Sequence, residues 1–152
     1  IALNEPRYSL LWRYPEAEVF PVTLSEGIGN VIFSPLAHGM LTGKYKPGEE
    51  APAGTRAADP DQNSVIRQLY WNEENKRKGQ ELAAIAAELG TNAARLAIAW
   101  ALRQPALTSV ILGVRRVEQL VDNLGALDVE IPPEVADRLE ALYPRPQGEA
   151  GL

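Results

Sequence analysis

The stretch that decides the fold spans residues 108–123 and reads TSVILGVRRVEQLVDN. Its first five residues are mostly β-branched or apolar, which predicts a buried strand. Gly113 ends this strand, and residues 117–127 follow a helical period. A strand that passes through a glycine turn into a helix is typical of parallel α/β proteins, whose ligand-binding groups lie at the carboxyl ends of the strands.

The residues after Gly113 have the chemistry of an anion site. A helix that starts after a glycine turn presents backbone N–H groups and the positive end of its dipole. Arg115 and Arg116 stand at this entrance and add guanidinium donors suited to phosphate. One face of the predicted helix carries Gln119, Asp122 and Asn123. Another face carries Leu120, Leu124 and Leu127, and we expect it to point to the core. The alternative is a polar helix start with two solvated arginines.

A second stretch, residues 33–44, reads FSPLAHGMLTGK and follows a strand predicted at residues 31–33. Gly39 permits close approach of the backbone to a ligand, as does Gly43. Ser34 and Lys44 supply a hydroxyl and a cation for phosphate oxygens. The spacing differs from that of a Walker loop. The alternative here is a turn and a short helix with a solvated lysine.

The remaining sequence predicts one more strand and several helices. The apolar run at residues 8–12 predicts the first strand, and residues 17–28 predict a weak helix broken by Pro21. Residues 45–63 are rich in Pro, Gly and charge, which predicts a long loop. Helical periodicity then dominates up to the tail, interrupted by the strand at residues 108–112, with Thr91 or Asn92 as a cap and Pro132–Pro133 opening the last helix. The fold class is therefore α/β with three parallel strands, fewer than the eight of a (β/α)₈ barrel.

Composition excludes several classes of function. The chain has 152 residues, a net charge of −5 and 45% hydrophobic residues, which is ordinary for one globular domain. The negative charge disfavours nucleic acid and anionic membranes as partners. The chain has no cysteine, which removes disulfides and thiolate chemistry. We expect no membrane span, no signal peptide and a cytoplasmic location. The first residue falls inside the pattern of a strand, so we expect the natural amino terminus to lie elsewhere.

The residues alone offer no complete catalytic set. His38 is the only histidine, so a multi-histidine metal site is excluded and we predict no metal. Ser34 and His38 are spaced to interact, but no third group is evident to orient the imidazole. The carboxylates, Glu5 among them, form no convincing acid/base pair.

The two glycine-containing stretches together resemble the aldo-keto reductases. The resemblance rests on residues 33–39, which begin with FSPL and end at Gly39, and on TGKY at residues 42–45. It rests also on GVR at residues 113–115 and on residues 118–123, which begin with EQ and end at Asn123. PRYSLL at residues 6–11 and LAIAW at residues 96–100 are similar to the bacterial relatives of voltage-gated potassium channel β subunits. The family fold is a (β/α)₈ barrel. The resemblance therefore implies a carboxy-terminal half barrel, strands six to eight with their helices, over residues 1–143, followed by a tail at residues 144–152.

The resemblance also implies an NADP-binding role for particular residues. Phe33 would stack on the nicotinamide, and Arg115 would meet the adenosine 2′-phosphate. The pyrophosphate would be lined by Ser34, Pro35, Leu36, Gly39 and Lys44, with Arg56 closing over it and Gly113 in the turn before Arg115. The adenine end would be held by Gln119, Asp122 and Asn123. Glu5 stands where the family usually has a glutamine that contacts the nicotinamide carboxamide; a carboxylate can accept from that amide but cannot donate.

The function implied by the resemblance is hydride transfer between NADPH and an aldehyde or ketone. The family's catalytic Asp, Tyr, Lys and His precede the position of Ile1, and no tyrosine here matches the proton donor. The chain alone is therefore predicted to be inactive. Two alternatives are an NADP-responsive regulatory subunit like the channel β subunits, and a non-catalytic half barrel that pairs with another half. This last alternative includes a homo-oligomer, because a sheet of three strands has exposed edges that can pair with a second copy.

Overall fold

The computed structural model describes residues 3–146. Within that range three parallel strands form one sheet in the order β1-β2-β3. The strands are β1 (Leu3–Asn4), β2 (Gly29–Ile32) and β3 (Leu107–Val110). The helices are α1 (Val19–Ser25), α2 (Ser64–Leu69), α3 (Glu73–Glu88), α4 (Ala93–Leu102), α5 (Val117–Leu124) and α6 (Pro133–Leu142). Short 3₁₀ segments lie at Tyr14–Glu16, Ala37–Thr42 and Gly125–Asp128. The chain is thus an α/β fold with a small parallel sheet, compatible with part of a barrel.

The strand predicted at residues 8–12 is wrong, and the first strand lies earlier, at β1. Pro6 has no N–H to donate to a ladder, so regular pairing stops before it. Contact with β2 continues irregularly, because Phe33 N–H donates to the Pro6 carbonyl over 3.2 Å. Residues 8–12 instead form a turn in which Ser9 and Trp12 exchange backbone hydrogen bonds of 3.1 and 2.9 Å. Residues 8–10 are buried and residues 11–12 half-buried in this turn, so an apolar composition alone did not identify a strand.

The sheet is tied to its neighbours by one buried amide in β2. Asn30 is fully buried, and its Nδ2 donates to Thr23 Oγ1 over 2.7 Å and to the Ala106 carbonyl over 2.9 Å. Its Oδ1 accepts from Asn4 Nδ2 over 3.1 Å. These bonds join α1, β1 and the start of β3, and they satisfy an amide that would otherwise be costly to bury.

The helix ends follow the sequence signals. The side chains of Asn72 and Asn92 accept from the backbone N–H groups of Asn75 and Arg95, which begins α3 and α4. Gly90, at φ 68°, ends α3. Two helices depart from expectation. α2 was not predicted as a separate element. Pro21 does not break α1, because it lies in the first turn, where its missing N–H has no partner in the helix.

The leucine face of α5 does not point to the core as expected. Leu120, Leu124 and Leu127 are 42%, 52% and 72% exposed. The core lies instead around α4, where Tyr8 stacks on Trp100 at 5.3 Å and meets the edge of Phe20 at 5.0 Å. α6 packs Val135 and Leu139 inward. Of the predicted tail, residues 144–146 follow α6 without helix, and residues 147–152 lie outside the described range.

Candidate functional site

One cavity of about 710 Å³ opens at the carboxyl ends of β2 and β3. Both stretches singled out in the sequence line it. The predicted residues on its wall are Phe33, Ser34, Pro35, Leu36, Gly39, Lys44, Arg56, Gly113, Arg115, Gln119, Asp122 and Asn123. Glu5 is exposed at the end of β1 and is not among the lining residues.

The turn after β2 has an unusual backbone that brings Lys44 back over Gly39. Ser34, Ala37 and His38 are non-glycine residues with positive φ, at 57°, 46° and 57°. Gly39 follows at φ 98°. A Cβ on Gly39 would lie 2.9 Å from Lys44 Nζ, so the glycine leaves room for the ammonium group to enter the cavity. Such left-handed positions are costly for side chains and concentrate at functional sites.

The cavity wall is rich in cations although the chain as a whole is acidic. Lys44, Arg56, Arg115 and Arg116 all line it, in a protein of net charge −5. Partial burial of the ammonium group, and then the charges of Arg56 and Arg115, lower the pKa of Lys44. Lys44, Arg56 and Arg115 share one cavity wall, so their positive charges act on one another across it. The cavity complements a ligand with several negative charges.

The loop of residues 45–63 lines one side of the cavity through Gly54, Thr55 and Arg56 and is anchored on either side of this segment. Ala57 is fully buried; its N–H donates to Tyr45 Oη over 3.3 Å, and its carbonyl accepts from Arg67 Nε over 3.1 Å. Nearer the α5 side, Arg115 Nη2 donates to Gln62 Oε1 over 2.7 Å and lies 3.5 Å from Asp59 Oδ2. These anchors give a structureless loop a fixed course beside the cavity.

A single histidine joins the loop to the turn. Arg56 Nη1 lies 3.1 Å from His38 Nδ1, and His38 Nε2 lies 3.3 Å from Ser34 Oγ. Burial, followed by the charges of Arg56 and Arg7, lowers the pKa of His38. The Ser34–His38 contact considered from the sequence thus exists, and Arg56 is the third member of the group.

The entrance of α5 is less open than the sequence predicts. Gln119 Oε1 accepts from the backbone N–H of Arg115 over 2.9 Å and from that of Arg116 over 3.3 Å. This is a side chain closing the first turn of its own helix, so two of the expected anion donors are already used. Side-chain cations therefore contribute more to the anion site than the helix end does.

The two polar residues further along α5 are held by α4. Asp122 accepts from Asn92 Nδ2 at 3.0 and 3.1 Å and pairs with Arg95 Nη2 at 2.7 Å. Asn123 is buried at 7% exposure. Both line the cavity, but the Asp122 carboxylate is neutralised by Arg95. This end of the cavity therefore offers polar groups without strong charge.

The cavity wall also carries an exposed aromatic ring. Phe33 ends the strand segment with 36% of its surface exposed, and the guanidinium of Arg7 lies 5.7 Å from its ring centre. An exposed aromatic ring beside a cavity can stack on a flat ligand.

Several lining residues were not predicted from the sequence as part of the site. They are His38, Thr42, Gly54, Thr55, Asn92, Ala94, Ile111, Leu112 and Val114. Asn92 was recognised only as a helix cap. Thr55 and Gly54 carry no signal of their own, because their place depends on how the loop folds back.

Comparison with known proteins identifies the family. The model described as "Aldo/keto reductase family" matches residues 1–144. This chain belongs to that family. Among curated proteins this aldo/keto reductase chain is 42% identical over 145 residues to a "Probable voltage-gated potassium channel subunit beta" of Oryza sativa subsp. japonica, covering 92% of this chain and 43% of that protein. It is 35% identical over 149 residues to "Uncharacterized oxidoreductase YrpG" of Bacillus subtilis, covering 98% and 42%. A protein of Arabidopsis thaliana named like the rice one is 39% identical over 142 residues, covering 91% and 42%.

These coverages mean that the aldo/keto reductase chain spans less than half the length of the curated relatives it matches. Family membership supports a function of the oxidoreductase type. Between residues 3 and 146 no group of three His, Asp or Glu side chains is placed to hold a metal ion. In the same range no single helix is long and apolar enough to cross a membrane; α3 and α4 meet that test only as a pair bent by 88°.

Proposed function

We propose that this chain is the NADP(H)-binding portion of an aldo/keto reductase, and that the whole protein transfers hydride between NADPH and an aldehyde or ketone. The observation that supports this most is the cation-lined cavity that joins the ends of β2 and β3. Dinucleotides bind at the carboxyl ends of parallel strands in α/β proteins. The carbonyl compound would be a small molecule that reaches the Phe33 end.

The size of the cavity and the residues on its wall support the choice of NADP. Its volume of about 710 Å³ lies within the usual range for cofactor sites. Lys44 and Arg56 would hold the pyrophosphate, with Gly39 leaving the space that Lys44 needs. Arg115 would bind the 2′-phosphate, and the neutral polar end near Asn123 would take the adenine. Phe33 would stack on the nicotinamide.

We further propose that the chain corresponds to strands six to eight of the barrel. β1 and β3 each have one unpaired edge within the described sheet, and α5 leaves its leucine face exposed. Both features are expected when neighbouring strands and helices belong to another part of the fold. The curated relatives are more than twice as long as the matched part, which agrees with a missing half.

NADPH supplies the hydride, and the proton for the carbonyl oxygen would come from residues outside this chain. None of the five tyrosines lines the cavity. Tyr8, Tyr70 and Tyr143 are buried, and burial raises the pKa of each one, the opposite of what proton donation near neutral pH requires. We therefore expect the chain alone to bind NADP(H) without turning over a carbonyl substrate. Carbonyl-dependent NADPH oxidation by the chain alone would disprove this placement of the proton donor.

The cofactor assignment is tested by comparing NADPH with NADH. The two differ only in the 2′-phosphate, so Arg115→Ala should weaken NADPH about tenfold or more, as expected for a lost charge-assisted hydrogen bond, and leave NADH nearly unchanged. Fluorescence titration of each reduced cofactor gives the Kd. Arg103→Ala is the matched control, because Arg103 is exposed at the end of α4 and does not line the cavity. Equal losses for NADPH and NADH would refute the 2′-phosphate site.

A second candidate is an NADP-responsive regulatory subunit. The names of the rice and Arabidopsis relatives, channel β subunits, favour it. In that case the same cofactor site would act as a sensor. Turnover measured on the protein that contains both halves separates the two functions. A protein that binds the cofactor but does not oxidise NADPH when a carbonyl compound is added would favour the regulatory function.

A further inference from the structure

The Arg56–His38–Ser34 contact fixes the direction of two hydrogen bonds. A guanidinium can only donate, so His38 Nδ1, 3.1 Å from Arg56 Nη1, must accept and carries no proton. The neutral imidazole then has its proton on Nε2, which donates to Ser34 Oγ over 3.3 Å. Since Ser34 Oγ accepts this proton, its own hydroxyl proton remains to be donated into the cavity. The group is therefore a chain of donors whose last hydroxyl proton, on Ser34, is available to an acceptor in the cavity.

The surroundings of His38 keep the imidazole neutral. The two charges that act on it, Arg56 from the loop and Arg7 from the segment after β1, are both positive, and with burial they lower its pKa. The ring of Tyr70, after α2, lies 6.1 Å away, and its own pKa is raised by burial, so it brings no negative charge. The Lys44 ammonium lies across the next residue, Gly39. An imidazolium here would lose its bond from Arg56 and would be repelled by Arg56 and Arg7.

The backbone at both ends of the contact is fixed by other means. Ala57, next to Arg56, is anchored by Tyr45 and Arg67. Ser34 and His38 share a turn in which both have φ 57°. What remains free is the direction of the Arg56 guanidinium and of the Ser34 hydroxyl, and these are the two groups that His38 contacts.

We propose that His38 is a positioning residue of the phosphate site: as a neutral imidazole it orients Arg56 and Ser34 toward the cofactor's phosphates and makes cofactor affinity depend on pH. The proposal rests on the proposed NADP(H) function. It adds a role for a residue that the family resemblance left without one. It implies that affinity falls when His38 takes up a proton.

The hydrogen-bond geometry is tested without any ligand. His38 is the only histidine, so ¹⁵N–¹H spectra of the full chain report its two ring nitrogens without assignment. We expect the Nε2–H tautomer at pH 7.5 and a pKa below the ordinary 6.5. Arg56→Gln should raise that pKa, while Arg116→Gln, which removes a cavity arginine that does not contact His38, should not. An Nδ1–H tautomer, or an Arg56→Gln pKa equal to the wild-type value, would overturn the proposal.

The functional role is tested by NADP⁺ affinity, since the oxidised cofactor tolerates acid. His38→Ala should weaken NADP⁺ about tenfold at pH 7.5. His38→Asn should restore it to within about threefold, because an asparagine oxygen can accept from Arg56 and asparagine tolerates a left-handed backbone. Urea unfolding of both variants identifies any loss of fold, and the asparagine variant keeps the test open if the alanine variant unfolds.

The pH profile separates positioning from a merely structural role. Wild-type affinity should fall as pH drops through the His38 pKa measured by NMR, and His38→Asn should lack that component. The 2′-phosphate also titrates near pH 6, but it does so equally with both proteins. Superimposable profiles would overturn the proposal. A wild-type chain that binds no NADP⁺ at any pH would refute the cofactor function instead, and the NMR comparison would still decide whether His38 positions Arg56.

Discussion

Replacing Gly39 by alanine should reduce cofactor affinity through Lys44. The added Cβ would lie 2.9 Å from Lys44 Nζ and 3.1 Å from its Cε. Both are atoms at the end of a flexible side chain, so Lys44 can move away at small steric cost. It would then leave the position from which it reaches a phosphate in the cavity.

The magnitude has two separable parts. Alanine at φ 98° is strained, which should lower the free energy of unfolding by about 1–2 kcal/mol. Loss of a charged hydrogen bond from Lys44 to phosphate corresponds to about 1.5–3 kcal/mol, or roughly a 10- to 100-fold weaker Kd for NADPH. Lys44→Met sets the upper limit for this second part.

Gly48→Ala is a matched control for the strain. Gly48 has φ 74°, and a Cβ there would meet nothing within 4 Å. Urea unfolding should therefore show similar losses for Gly39→Ala and Gly48→Ala, while fluorescence titration with NADPH should show weakened binding for Gly39→Ala only. Wild-type affinity in Gly39→Ala would mean that Lys44 does not bind phosphate from above Gly39. Weakened affinity in both variants would attribute the effect to strain.

Two further predictions concern stability. The folded-state pKa of His38 lies below its ordinary value of 6.5, so the unfolded chain takes up this proton first as pH falls. The stability that His38 contributes is therefore fully present above pH 6.5 and is lost below it. The loss is at most about 1.4 kcal/mol per pH unit. Urea unfolding at pH 7.5 and 5.5 should show a larger loss for wild type than for His38→Asn, and equal losses would contradict the buried, neutral imidazole. Asn92→Ala should cost about 1–2 kcal/mol because it removes the α4 cap, and should also weaken NADPH, since Asn92 holds Asp122 at the cavity. Asn72→Ala is the control: it removes an equivalent cap on α3, outside the cavity, and should change stability alone. Unchanged NADPH affinity in Asn92→Ala would mean that Asp122 is not part of the cofactor site.

Local signals predicted the parts of the site that depend on adjacent residues. A β-branched run ending at Gly113 predicted β3, and an asparagine before an apolar period predicted the start of α4. Residues 33–44 and 113–123 were expected to lie together because ligand-binding groups gather at the carboxyl ends of parallel strands. No single residue indicated this. These features need only short-range geometry or the general architecture of α/β proteins.

Features that depend on distant packing could not be predicted. The run at residues 8–12 has the composition of a strand, yet Pro6 and the ring of Trp100 make it a buried turn. The Arg56–His38 bond joins residues 18 positions apart through a loop without periodicity. Gln119 lines the cavity as predicted, but the sequence did not show that its side chain also closes the first turn of its own helix. Each case is a choice between a local and a tertiary partner, and sequence spacing does not decide it.

The arrangement of cations has a consequence for the stability of the ligand-free protein. Lys44, Arg56 and Arg115 face one cavity, and the pKa of Lys44 is lowered by burial and then by the charges of the two arginines. The repulsion among these cations is unfavourable until an anion is bound. A ligand with several phosphate charges relieves this repulsion as well as forming hydrogen bonds. By linkage, NADPH should therefore stabilise the chain against urea, as any ligand of the folded state does. It should also raise the pKa of Lys44 toward its ordinary value. NADH, lacking the 2′-phosphate, should do both to a smaller extent, because Arg115 would remain unneutralised by the ligand.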